Sequence, residues 1–178
     1  MSSATVAFLV LTAMVPSVGV AVAIAKFGVR AYLPPQRARE ARDTVGAIAR
    51  RLSVAYERSE TLCGPASPVP STVPTEAYMP SLAEGHDFRK GSATEGWPCI
   101  GFSTEGPIHH QYDVRIGGNY KSVARGGRDP GPNAVEVSAE GDLDGDGITS
   151  LIAEIWVLEP ETHIFQKSAK LFIVDEYE

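Results

Sequence analysis

The chain opens on a long apolar stretch. From Ala4 to Ala25 there are 22 residues without a charge, interrupted only by the hydroxyls of Thr5, Thr12 and Ser17. As a helix this run is about 33 Å long, close to the thickness of a bilayer hydrocarbon core. A cleaved secretory signal, a buried core helix and a retained transmembrane or assembly helix all use such a segment. The run exceeds a normal signal core and has no basic start, and it is long for a core helix, so the retained helix is the favoured reading. Pro16 and Gly19 should bend or loosen it, and Gly28 and Pro34-Pro35 add further breaks. Beyond Pro35 the pattern turns amphipathic. Ala41, Val45, Ile48, Leu52 and Ala55 recur at alternating steps of four and three, which predicts one apolar helical stripe with Arg37, Arg39, Arg50 and Arg51 largely off it.

The second half reads differently. Residues 61–107 hold 7 of the 13 prolines together with many Gly, Ser and Thr, which predicts a long irregular loop. Four segments after it read as strands: Ile108–Ile116, Ala134–Glu140, Ser150–Leu158 and His163–Val174. In the second, Val135, Val137 and Ala139 face one way and Glu136, Ser138 and Glu140 the other. The third is almost wholly apolar and ends at Pro160, as a central strand covered on both faces does. The expected fold is therefore α+β: a long N-terminal helix, apolar then amphipathic, packed on a C-terminal antiparallel sheet. Residues 1–35 would form the transmembrane or assembly helix and residues 36–178 the head. Within the head, 36–60 would be the amphipathic helix, 61–107 the loop and 108–178 the sheet.

Composition refines this picture in two places. Apolar residues at 43% and charged residues at 21% are ordinary for a folding chain. The net charge of −6 is unevenly spread: residues 1–60 hold 8 Lys/Arg against 4 Asp/Glu, leaving 8 against 18 for the rest of the totals of 16 and 22. An acidic distal half argues against a nucleic-acid partner, which needs clustered cations to displace phosphate counterions. The cations just after the apolar run (Lys26, Arg30, Arg37, Arg39, Arg42) would by the positive-inside rule place the head in the cytoplasm.

The cysteines point the other way. Cys63 and Cys99 bracket the proline-rich loop, and a structureless segment of that length normally needs a staple. A disulfide between them would place the head in an oxidising compartment; two free buried thiols are the alternative. A metal site on this pair is disfavoured, because no C-x-x-C spacing or histidine pair accompanies it.

Asp142-Leu143-Asp144-Gly145-Asp146-Gly147 is the sharpest local motif. Carboxylates at alternate positions followed by glycine let a chain wrap a hard cation, as in the first half of a calcium loop. The twelfth position is Ala153 rather than Glu, so this is not an EF-hand. The expected site is a shorter calcium loop between two strands, formed by Asp142, Asp144 and Asp146 and completed by the Ile148 carbonyl, the Ser150 hydroxyl or Glu140. A solvated Asp/Gly turn is the alternative. His109-His110 would face opposite sides of a strand and so cannot share a metal simply. A Cys/His nucleophile lacks motif context, and the run from Ala124 to Gly131 reads as a flexible surface loop rather than a phosphate loop. Tyr32 and Trp97 are candidate interface anchors, though cores take aromatics more often.

Several stretches carry a resemblance. The run from Arg39 to Arg50 (REARDTVGAIAR), Leu62-Cys63-Gly64, Gly96-Trp97-Pro98-Cys99 and the run from Ser138 to Gly147 are similar to pilin-like proteins of predatory soil bacteria. The order of elements resembles type IV pilins and the pseudopilins of type II secretion. That resemblance implies a non-enzymatic structural subunit of a type IV pilus-like or pseudopilus assembly, with other pilin-like subunits as partners and membrane lipid around the N-terminal helix. It also implies structural calcium in a β-loop. The head would sit in the periplasm at a bacterial inner membrane, or at the cell surface if assembled. The chain departs from those families in having no basic leader, no processing glycine with the Phe-Thr-Leu-Ile-Glu run, and no acidic residue before Glu40. The departure favours the alternative of a single-pass membrane protein whose calcium-stabilised periplasmic head binds a ligand or partner without polymerising. A secreted enzyme would need clustered catalytic residues, and the sequence offers none.

Overall fold

The computed structural model describes residues 35–168 and 171–177. Two compact units divide the chain, Met1–Gln36 and Arg37–Glu178, and the fold below is that of the second together with Pro35 and Gln36. Among the described residues the main helix, α1, runs over residues 35–59. The four-and-three stripe is the buried face: Ala41, Val45, Ile48 and Leu52 are all fully enclosed, and Ala55 is partly so.

The expected long N-terminal helix, apolar then amphipathic, is not supported. Among the described residues there is one main helix, over residues 35–59, and the pilin-like description of the fold falls with it. The apolar run 4–25, the bends at Pro16 and Gly19, and Tyr32 lie outside the described residues. Among the described residues no helix is long and apolar enough to cross a membrane.

The sheet has six antiparallel strands: β1 (Ala66–Val69), β2 (Gln111–Ile116), β3 (Ala134–Gly141), β4 (Ser150–Glu159), β5 (Ile164–Lys167) and β6 (Phe172–Val174). The first five lie side by side in chain order, and β6 also pairs with β4. Two details correct the sequence reading. The stretch 61–107 is not all loop. It contributes β1 at the sheet edge, where Ala66 and Val69 pair with Val114 and Tyr112. It also holds a 3₁₀ turn at Asp87–Arg89 and a short helix, α2, at Gly96–Ile100. Proline at position 68 is compatible with β1 because an edge strand has one side free of ladder bonds.

The last segment is likewise not one strand. Lys167 pairs with Trp156 and Phe172 with Ala153, so a step of five residues along this segment meets a step of three along β4. The surplus divides the segment into β5 and β6, both along the same edge of β4.

α1 packs on one sheet face. Its stripe joins Tyr112, Val114, Val135, Val137, Ala139 and Ile152 in one core. Polar contacts fix its position at both ends. Glu40 accepts from the backbone N–H of His109 at 3.3 Å and meets its Nδ1 at 2.9 Å. Near the C-terminal end, the Tyr56 hydroxyl donates to the His163 carbonyl at 3.0 Å.

Candidate functional site

Cys63 and Cys99 form a disulfide with Cα atoms 5.8 Å apart. Cys63 is buried in the core, Cys99 lies on α2, and the Trp97 indole N–H donates to the Ser67 carbonyl of β1 at 2.9 Å. Trp97 is itself fully enclosed, edge-on to Phe88. It is therefore a core residue that holds α2 on β1, not a free interface anchor. The bridge and this hydrogen bond together pin the proline-rich segment to the sheet.

The turn joining β3 to β4 brings three of the expected metal ligands together. Carboxylate oxygens of Asp142, Asp144 and Asp146 lie within 4.8 Å of one another. The turn is shaped by its own carboxylates: Asp142 accepts from the N–H groups of Gly145 at 2.8 Å and Gly147 at 3.1 Å, and Asp146 accepts from Ile148 at 2.7 Å. Gly145 and Gly147 both hold positive φ, 79° and 90°, which is why glycine occupies these places. Among the described residues none of the three carboxylates has a salt-bridge partner. The three carboxylates could together hold a metal ion.

Ser150 and Glu140 have hydrogen-bond or ionic partners within the chain. Ser150 is fully buried, and its hydroxyl donates to the Gly141 carbonyl at 3.2 Å, because β4 already pairs with β3 at that point. Ile148, whose carbonyl is the expected ligand atom, is exposed. Glu140 is bound to cations of the chain itself: Lys121 at 3.0 Å and Arg125 at 3.4 Å, with the Thr149 hydroxyl donating at 2.8 Å.

Glu140 belongs to a dense group of ionisable side chains on the sheet face opposite α1. Asp113, Glu136 and Ser138 are at most 1% exposed there. The short helix α3 (Lys121–Ala124) lies over them. Glu136 accepts from the backbone N–H groups of Lys121 at 2.7 Å and Ser122 at 2.9 Å, and from the Ser122 hydroxyl. Lys121 Nζ in turn reaches Gln111 Oε1 at 2.9 Å and Asp113 at 3.5 Å. Asp113 also accepts from Arg115 Nε at 2.9 Å and from the Ser138 hydroxyl. Burial works to raise the Glu140 pKa, but Lys121, Thr149 and Arg125 outweigh it and hold the carboxyl below its usual range. The alternation in β3 was legible from the sequence. That its polar face is enclosed was not, because α3 carries no periodic signal.

The two histidines do face apart. His109 meets Glu40, whereas His110 is fully buried, and neither of its ring nitrogens finds a hydrogen-bond partner among the described residues. A Cβ added at Gly141 would come within 2.6 Å of the His110 ring, so the two are in close contact. Burial, then the charges of His109 and Arg37, push the His110 pKa from 6.5 down to about 4. The unfolded chain therefore binds the extra proton first. Stability should be full above pH 6.5 and fall progressively towards pH 4, by about 3 kcal/mol at 1.36 kcal/mol per unit. Urea denaturation across that window would show the loss; a His110→Met variant should flatten this part of the profile, and an unchanged slope would exclude His110 as its source.

No family model, curated protein or solved structure matches the chain.

Proposed function

We propose that the protein is a non-enzymatic structural subunit of a type IV pilus-like or pseudopilus assembly, held at a bacterial inner membrane through the apolar run 4–25 with its head in the periplasm or at the cell surface. The observation that carries this reading is the Cys63–Cys99 disulfide, which suits a head outside the reducing cytoplasm. The distribution of chemistry is in keeping with it. Both thiols are consumed in the bridge, and the ionisable cluster around Lys121 and Glu140 anchors α3 to the sheet. The test is isolation from native membranes without reductant, followed by intact mass, N-terminal sequencing and immunolabelled electron microscopy. Labelled filaments, and a mass lower than the dithiol chain by two hydrogen atoms, are the expected results. A reduced head that is absent from filaments would overturn the proposal.

The converging carboxylates favour a second reading, a membrane-held head stabilised by calcium that binds a partner without polymerising. Asp142, Asp144 and Asp146 would hold the ion, which would relieve their mutual repulsion and fix the β3–β4 turn. Calcium at roughly a hundredfold excess over its Kd should then add about 3 kcal/mol to stability, seen as a rise in Tm. An Asp144→Asn/Asp146→Asn variant should lose that rise; a Tm indifferent to calcium in the parent chain would remove the ion from the account.

A further inference from the structure

We infer that the groove between the end of α1 and the disulfide-closed loop receives the β3–β4 turn of a second copy of this chain. This rests on the assembly reading above and specifies its contact.

The groove has a volume of about 250 Å³ and is lined by Arg51, Val54 and Arg58 of α1 and by Pro98, Cys99 and Ile100 of α2. Arg51 and Arg58 are exposed, and neither forms an ion pair among the described residues. Val54 lies between them on α1 and is 40% exposed, so the groove offers two cations flanking an apolar floor.

The β3–β4 turn presents the complement. Asp144 and Asp146 are exposed and have no salt-bridge partner among the described residues, and Ile148 beside them is one of the exposed large apolar residues of the fold. Two carboxylates and an isoleucine on a projecting turn match two arginines and a valine in a concavity. The guanidinium fork suits a carboxylate better than an ammonium would, and the apolar pair gives the contact a region shielded from water.

Turn and groove cannot meet within one molecule. Arg37, near the start of α1, donates to the Leu143 carbonyl at 3.4 Å and so fixes the turn beside that end. Arg51 and Arg58 lie roughly 20–30 Å farther along the helix at 1.5 Å per residue. The contact therefore joins separate copies: reciprocally, turn to groove and groove to turn, it closes a two-fold dimer, and head to tail it repeats into a ring or an open filament.

Sedimentation of the full chain in detergent micelles, with chelator present so that the carboxylates are free of divalent cations, tests this. The parent chain should self-associate at low salt and dissociate at high salt. Arg51→Glu/Arg58→Glu and Asp144→Arg/Asp146→Arg should each weaken association by about tenfold or more, and an equimolar mixture of the two should restore it, since each supplies the other's complement. Association that ignores salt and both reversals would belong to the apolar run and would overturn the contact, as would a mixture that stays dissociated. If the chain is found in native filaments while these variants associate normally, the contact fails and the assembly reading stands. A chain monomeric in micelles and absent from filaments overturns both.

Discussion

Replacing Cys63 and Cys99 together by alanine should lower the stability of the head by about 3–4 kcal/mol, with a fall in Tm of roughly 10 °C. The bridge joins residues 36 apart in sequence, so cutting it returns a long segment to the unfolded ensemble. Loop-closure entropy then favours unfolding by that amount. The folded state supplies the local consequence. β1 is an edge strand held by β2 on one side, and α2 is held to it by the Trp97–Ser67 hydrogen bond. Without the bridge, α2 and β1 should open before the rest of the sheet. Backbone exchange at Ala66 and Val69 and a change in Trp97 fluorescence should therefore precede the main urea transition. Dithiothreitol on the parent chain should reproduce the alanine variant. Equal stability of oxidised and reduced protein would mean that the core already holds the segment, and the staple would no longer explain why a proline-rich stretch is ordered.

What the sequence disclosed depended on whether a feature is encoded by period or by pairing. The stripe Ala41, Val45, Ile48 and Leu52 is periodic, and those residues are the enclosed face of α1. Alternation in β3 separated Val135 and Val137 from Glu136 and Ser138, and the alternate aspartates placed Asp142, Asp144 and Asp146 on one turn. β1 was missed because Ala66-Ser67-Pro68-Val69 has turn composition; it is a strand only because β2 offers a free edge. The break between β5 and β6 depends on the register of β4, which no residue near 168 reveals. The pairing of Ser150 with Gly141, which draws its hydroxyl into the sheet, is set by register in the same way. The covering of the polar face by α3 depends on Glu136 meeting Lys121 and Ser122, 15 and 14 residues away in sequence.

That covering makes Glu136 a sensitive polar position in the head, and Glu136→Ala should cost about 3–5 kcal/mol from the donors it leaves unsatisfied. The side chain is fully enclosed, and its carboxylate accepts from two backbone N–H groups and one hydroxyl at the start of α3. Alanine leaves those donors buried without acceptors, each an expense of about 1–3 kcal/mol unless water reaches it. The damage should spread along one path. Once α3 is loose, Lys121 is no longer held over Gln111, Asp113 and Glu140. Glu140 then keeps Arg125, and Asp113 keeps Arg115 and Ser138. Glu136→Gln retains an acceptor oxygen and the volume, but turns an amide N–H₂ towards the donors, so it should cost less, about 1–3 kcal/mol. Because Ser122 donates to the same carboxylate, Ser122→Ala should add little once Glu136 is gone, a coupling that a double-mutant cycle in urea would measure. If Glu136→Ala costs under about 1 kcal/mol, or the two changes simply add, α3 is held by packing alone. The buried carboxylates of β2 and β3 would then need another explanation for why this face of the sheet is polar.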